Sequence, residues 1–461
     1  MGAGPAGYPA AFLAADLGMK VTLISTNSTP GGVCLYCGCV PSKALLHAAK
    51  TLTDAKEAKD FGIDFGEPNV DINVLRKWKN DVILKLTTGL GQLTKQRNIN
   101  YIHGRATFVD SHTLKIVRQD KSEETLSFDK IVIATGSQAL RLPFVTYSNR
   151  IIDSIFAQNI KNIPESLLVV GGGYIGLELG SVYAALGSQV SIVEMMDEIL
   201  PHTDRDFVRI LEKRLKKNFT AMMLGTKVTK MEENPDAVSV TFENKKGETE
   251  TKNYEKVLIS IGRKPNSEDL GLENTQVKCD DKGFIQVNPN RQTDDPDIFA
   301  IGDVAGQPML AHKATHEGRM AIEAINGKDV AFNPKAIPAV VYTDPEIAWC
   351  GLTEAQAKRD NRDVRVAKFP WMASGRAVTL NRVDGLTKLI IDPKTEKILG
   401  VGMAGSSAGD LISEGVLAVE MGATANDLKR TIHPHPTLSE TLMETAESFY
   451  GFPIHIPRPK K

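Results

Sequence analysis

Two stretches of this chain repeat one pattern, and the repeat restricts the fold more than any other feature. The first is Gly2-Ala3-Gly4-Pro5-Ala6-Gly7, followed by an alanine-rich helix to Leu17 and an apolar strand over 20–24. The second is a strand over 167–170, the turn Gly171-Gly172-Gly173-Tyr174-Ile175-Gly176, a helix to Leu186 and a strand over 189–193. Glycines at this spacing permit a tight turn and close backbone approach to a pyrophosphate, and the following helix aims its amides and positive dipole end at the same place. One such turn is a weak signal. Two, each followed by an apolar strand at the right distance, predict two dinucleotide sites on doubly wound α/β units.

The two units differ where the second strand ends. An acidic residue there ordinarily accepts hydrogen bonds from a ribose diol. Glu194 holds that place in the second unit and predicts a preference for NAD(H), since a 2′-phosphate would be repelled and no arginine lies in Met195-Met196-Asp197-Glu198. In the first unit the place falls on Ser25, which can hydrogen-bond a hydroxyl but without charge assistance.

Further strands are expected over 130–134, 256–260 and 298–301, running into Thr135-Gly136-Ser137, Ile261-Gly262-Arg263 and Gly302-Asp303. Strands that stop at such turns are where doubly wound sheets bind ligands. From about Pro334 onward the character changes: a strand over 387–391 and helices over 409–421 and 439–449 predict a separate α+β domain without a glycine fingerprint.

The chain has 461 residues, enough for two to four domains, and a formal net charge of -1 with no polybasic stripe, which argues against nucleic acid as a partner. No apolar run reaches membrane-spanning length. The basic tail Pro457-Arg458-Pro459-Lys460-Lys461 reads as a solvated end. Five cysteines are too few and too unevenly placed for a disulfide-stapled secreted domain, so a reducing, cytoplasmic setting is expected.

Three of those cysteines lie within six residues, Cys34-Leu35-Tyr36-Cys37-Gly38-Cys39, just after Gly31-Gly32 and before Val40-Pro41-Ser42-Lys43. A thiol pair at this spacing can open and close as a disulfide and so hold two electrons. A CxxC pairing of Cys34 with Cys37 competes with a CxxxxC pairing of Cys34 with Cys39, and spacing alone does not choose. Zinc would need a second pair at metal spacing, which the chain lacks, so no metal site is expected. Near the end, His433-Pro434-His435-Pro436-Thr437-Leu438-Ser439-Glu440 offers a histidine beside a carboxylate, a base fit to make a thiolate.

These motifs, in this order, resemble the dihydrolipoamide dehydrogenase family, the flavoprotein component shared by 2-oxo acid dehydrogenase complexes. The likeness rests on both glycine turns, the run from Gly31 to Lys43, Gly302-Asp303 and the histidine-proline ending. It covers essentially the whole chain. It implies FAD-binding (1–145), NAD-binding (146–264), central (265–333) and dimerisation (334–461) domains. It also implies that Cys34 and Cys39 form the redox disulfide, with Cys34 exchanging with lipoyl sulfur and Cys39 facing the flavin.

Further roles follow from the same resemblance. Gly2, Gly4, Gly7, Ser25, Gly32, Lys43, Ala106, Thr135, Gly136, Ser137, Asp303, Met309, Leu310, Ala311 and His312 would form the FAD site, with Lys43 paired to Glu178. Gly171, Gly172, Gly173, Tyr174, Ile175, Glu194, Val228, Ser260, Ile261, Gly262 and Arg263 would line the NAD site. His435, oriented by Glu440, would be the acid–base and would reach the disulfide of the other subunit of a homodimer. Lipoyl domains of the complexes would be the partners.

Three departures from the family stand out. Relatives carry a strand of about six residues ahead of the first glycine turn, whereas Met1 abuts it here. Its absence would cost two neighbouring strands their backbone partners. Ser25 replaces an acid, and Cys37 a residue that is normally not a thiol. Pro434 is also unusual. An active enzyme is expected; the alternative is a flavin-poor chain with only a dimerising or scaffold role.

Overall fold

The computed structural model describes residues 1–458, so the last three residues of the basic tail lie outside the described residues. The second nucleotide unit is the more regular. Five parallel strands lie in the order Ala221–Met223, Gln189–Val193, Ser166–Val170, Lys256–Ile259, Ile151–Asp153. Leu167, Leu168 and Val169 are fully buried on the central strand. Burial on both faces is why such a strand reads as an unbroken apolar run rather than an alternating one.

The first unit is split. Strand Thr22–Ser25 pairs with Asn100–Asp110, which continues into two antiparallel strands, while Ile131–Ile133 pairs only with Ile298–Ala300. Between the two halves lie Met1 and Gly2. The Met1 amino group donates to the Val132 carbonyl at 2.7 Å, the Met1 carbonyl accepts from the Ala134 amide, and the Gly2 amide donates to the Ile24 carbonyl. The helix Gly7–Asp16 then packs on the helix Ala311–Ile325. Small residues allow the contact: a Cβ on Gly318 would stand 2.6 Å from the Ala6 carbonyl oxygen.

The C-terminal region is a five-stranded antiparallel sheet in the order Ala339–Val341, Glu346–Gly351, Ile398–Gly405, Leu386–Ile391, Arg365–Pro370. Helices Ala408–Met421, Ala425–Arg430 and Glu440–Phe449 pack with it around Leu389, Met403 and Leu442. It is joined to the second unit by one apolar cluster that includes Phe207, Val341, Ile347 and Ala404. Beside that cluster the buried Lys388 ammonium sits 2.6 Å from Asp204 and 2.9 Å from Asp206. The whole is α/β: two doubly wound dinucleotide-binding domains with an α+β domain at the C-terminal end. Among the described residues no helix is long and apolar enough to cross a membrane.

Candidate active site

The cysteine run folds as two helices with a break. Gly32–Cys37 is a short helix, Gly38 interrupts it, and Cys39–Glu57 is a long one. A Cβ at Gly38 would stand 2.9 Å from the Val33 carbonyl oxygen and 3.3 Å from the Cys34 Cα, so glycine is what lets the chain turn this tightly. Pro41 falls in the first turn of the long helix, where no intrahelical amide is needed. The turn brings the Cys34 and Cys39 thiols into hydrogen-bond contact.

That contact divides the pair. Cys39 is lowered to about 7, first by the hydrogen bond from Cys34 and then, against the opposing effect of burial, by the Lys43 charge. Its place at the start of a helix acts in the same sense. Cys34 is pushed up, first by holding the proton of that hydrogen bond and then by burial. In the reduced pair Cys39 is thus the thiol more easily ionised. Cys37 is raised by burial, and the charges it feels most are those of Arg263 and Asp153 rather than those of the other two thiols.

Lys43, one turn along the long helix, donates to Glu178 at 2.7 Å. Glu178 is buried on the helix Tyr174–Ala185 of the second unit, and its other oxygen accepts from the Tyr342 amide at 3.0 Å. The Lys43 ammonium also lies 4.5 Å from the centre of the Tyr342 ring. Both nucleotide units and the C-terminal region thus meet at one ion pair beside the thiols. Tyr342 was not legible in the sequence, because it acts on Glu178 through its backbone.

The two histidines of the ending separate by environment. His433 is tucked in, with Nε2 2.8 Å from Glu414 and Nδ1 2.9 Å from the Thr431 carbonyl. His435 is open, its side chain 76% exposed, with Nδ1 2.9 Å from Glu440 Oε1. The other oxygen of Glu440 accepts from the Thr437 amide at 2.8 Å, which fixes the carboxylate. His435 therefore presents Nε2 outward while Nδ1 is held.

Residues 1–318 match the family model described as pyridine nucleotide-disulphide oxidoreductase, and residues 337–446 match the dimerisation domain of the same family. The chain belongs to this family. It is 46% identical over 461 residues to a dihydrolipoyl dehydrogenase of Vibrio parahaemolyticus, covering 100% of this chain and 97% of that one. A dihydrolipoyl dehydrogenase of Haemophilus influenzae is 47% identical (100% and 96% covered), and one of Bacillus subtilis is 45% identical (99% and 97%). Among solved structures, LpdA from Mycobacterium tuberculosis aligns with a TM-score of 0.91 at 26% identity, covering 97% of this chain and 98% of that one. The flavoprotein disulfide reductase RclA from Escherichia coli, solved as a Cu(II) complex, aligns at 0.87 and 28% identity, with 97% of each chain covered. The dimerisation domain supports a homodimer for this pyridine nucleotide-disulphide oxidoreductase.

The residues present fit the family's two cofactors, FAD and NAD. Three helices that begin at the predicted sites, at Gly7, Tyr174 and Ala311, have no side-chain cap and no acid in their first turn, leaving their amides free for an anion or a carbonyl. The space in front of Gly173 is open, and Gly32 and Gly4 approach so closely that a Cβ on Gly32 would stand 2.5 Å from the Gly4 Cα. Of the residues expected at the second site, Ser260 holds the carbonyl of Val170 at 3.1 Å, and Ile261 and Val228 pack together on the strand-end cluster. Glu194 accepts from the Gly172 amide at 2.6 Å and the Met196 amide at 2.8 Å.

Some expected residues are placed otherwise. Arg263 turns toward the first site: its Nε donates to Ser137 Oγ at 2.8 Å and Nη2 to the Ser137 carbonyl, while Ser137 donates to Asp303 at 2.5 Å. The methyl of Ala106 is buried among Ile24, Ile116 and Ile133, so only its backbone is available. Ser25 is buried, and its Oγ accepts from the Asn27 amide at 3.2 Å. His312 holds the Pro338 carbonyl at 2.7 Å with its ring, and Met309 and Leu310 lead into the uncapped helix.

Two residues absent from the sequence reading support this floor. Asn266 clasps Thr135-Gly136, accepting from the Thr135 hydroxyl with its backbone carbonyl and donating to the carbonyls of both. Fully buried Glu317 accepts from the Gly302 amide at 2.7 Å, next to Asp303, and is flanked by Lys313 and Arg291, each at 3.1 Å. The four-residue spacing of Lys313 and Glu317 is visible in the sequence; their burial is not.

Proposed function

We propose that the chain oxidises dihydrolipoamide to lipoamide with NAD+ as final acceptor, through a disulfide formed by Cys34 and Cys39, as the shared component of 2-oxo acid dehydrogenase complexes. The observation that carries this is the geometry: the Gly38 break brings Cys34 and Cys39 together beside the Lys43–Glu178 ion pair, which joins both nucleotide units. Colinear likeness over the whole chain to proteins named dihydrolipoyl dehydrogenase supports an enzyme rather than a flavin-poor scaffold.

His435 takes the proton from one substrate thiol, and Glu440 stabilises and orients the imidazolium. The substrate thiolate attacks Cys34 of the disulfide, and Cys39 leaves as a thiolate, for which its lowered pKa suits it. His435 hands its proton to Cys34 and takes the proton of the second substrate thiol, whose sulfur attacks the first; the Cys34–substrate bond breaks, lipoamide departs oxidised, and Cys34 keeps the electron pair as a thiol. Bound FAD would accept the electron pair from the dithiol and deliver it as hydride to NAD+. Lys43 and Glu178 hold the thiolate's surroundings fixed between the two nucleotide units. His435 is open in one chain, which suits it to serve the thiols of the partner in the homodimer, as the family resemblance implies.

The domains divide near residues 145, 264 and 333, lipoyl domains are the partners, and the setting is the cytoplasm. Purified protein should be yellow and should reduce NAD+ with dihydrolipoamide. Cys34→Ser and Cys39→Ser should each lower that rate by about a thousandfold or more. Peptide mapping of the oxidised protein should find Cys34 joined to Cys39. Colourless protein, or a Cys34–Cys37 link as the main product, would overturn the reading.

A further inference from the structure

We propose that Asp197 and Lys245 form a latent 2′-phosphate site beside the NAD pocket, kept closed because the carboxylate occupies the lysine. The inference rests on the NAD-site reading above. Glu194 ends the strand Gln189–Val193, and Met196, whose amide it accepts, leads directly to Asp197. The hairpin turn at 244–247 comes back to the same corner: Asn244 pairs with Thr226, whose amide donates to the Glu194 carbonyl. From that turn the Lys245 ammonium contacts both Asp197 carboxylate oxygens, 2.5 Å from Oδ2.

Gly225 is the floor of this contact. Its φ is +60°, and a Cβ there would stand 3.0 Å from Asp197 Oδ1 and 3.2 Å from Lys245 Cε. The pair therefore crosses over Gly225, whose amide donates to the Met196 carbonyl just past the strand end where the ribose diol is expected. Both side chains are well exposed, so the pair is open to a ligand and adds little to stability. Two other cations nearby are also committed: Arg205 to Glu198 at 2.9 Å and Lys227 to Glu243 at 2.8 Å.

Discrimination against a 2′-phosphate thus has two parts. Glu194 repels it directly. Asp197 withholds the Lys245 ammonium. A free ammonium at that corner would supply a charge-assisted hydrogen bond to phosphate oxygen, which the neutral diol of NAD does not need.

The test is equilibrium binding of adenosine 2′,5′-bisphosphate and of 5′-AMP to the flavin-loaded protein, by calorimetry. Asp197→Asn should tighten the bisphosphate roughly three- to tenfold, the range of one charge-assisted contact at an exposed site, and leave 5′-AMP within about twofold. The double variant Asp197→Asn with Lys245→Ala should lose the gain. An unchanged bisphosphate affinity in Asp197→Asn overturns the proposal, and so does a gain that survives in the double variant, since removal of one negative charge would then suffice. Failure of the wild-type protein to bind 5′-AMP would instead overturn the NAD-site reading, and this inference with it.

Discussion

The two glycine turns close in the same way. In the second unit the Gly171 amide donates to the Val193 carbonyl, and the Val170 carbonyl accepts from the Ser260 amide. In the first unit the Gly2 amide donates to the Ile24 carbonyl, and the Met1 carbonyl accepts from the Ala134 amide. Gly2 and Gly171 have φ values of +98° and +108°, and at both a Cβ would strike a carbonyl oxygen of the neighbouring strand end, at 2.2 and 2.5 Å. The turn's shape therefore comes from its glycines and from the two flanking strands. In the second unit the strand Ser166–Val170 adds a continuous sheet and a buried apolar layer.

The comparison can be broken most severely at the third glycine of each turn. A Cβ on Gly7 would stand 1.8 Å from the Gly2 carbonyl oxygen, and one on Gly176 would stand 2.5 Å from both the Gly171 oxygen and Ser260 Oγ. Gly7→Ala should abolish FAD retention and cost about 3 kcal/mol of stability. Gly176→Ala should leave the protein yellow while NAD affinity falls by about a hundredfold. Flavin absorbance and NAD titration of the two purified variants separate these outcomes.

A smaller effect is expected at the ion pair that ties the units together. Lys43 lowers the Cys39 pKa and Glu178 opposes it, so Lys43→Met should raise that pKa from about 7, and Glu178→Gln should lower it further. In the reduced protein, iodoacetamide should label Cys39 increasingly as pH rises through about 7, with Cys34 still protonated there. The sign for stability follows. A thiol depressed in the folded state stabilises the reduced protein at pH above its ordinary value of 9.0, and that contribution is lost as pH falls through about 7. Equal labelling of both thiols across this range would contradict the division of roles.

The mildest tests exchange the residues that distinguish the strand ends. Glu194→Ser should weaken NAD binding by roughly tenfold, as charge-assisted contacts are replaced by neutral ones. Ser25 is buried and already accepts from Asn27, so Ser25→Ala should change FAD affinity by less than about threefold. A large loss would mean that serine, despite lacking charge, carries the adenosine contact. Cys37→Ser should leave turnover within about twofold, since Cys37 takes no part in the exchange proposed for the other two thiols.

Much of this site was legible because its chemistry is local. The glycine spacing, the cysteine run and the histidine-proline ending each lie within a dozen residues, and backbone geometry at that range follows from residue type. Strand ends were displaced by a residue or two, as for Thr22–Ser25 against 20–24, because ladder pairing rather than hydrophobicity sets them. The Arg263 side chain shows a different limit. It follows the second unit's strand in sequence, but its guanidinium finds Ser137 across a short antiparallel contact that only the folded chain creates.

The sequence by itself determined that two dinucleotide units and a dithiol share one chain, because glycine and cysteine act through conformational freedom and reactivity that neighbours scarcely alter. It also named the acid that ends the second unit. Tertiary structure decided which charges stand beside the thiols, because the Lys43 ammonium is held by Glu178 from another unit. It alone separated His433 from His435, two residues apart in sequence but one tucked against Glu414 and the other open beside Glu440. Burial and charge partners arrive from distant segments, so no local pattern can encode them.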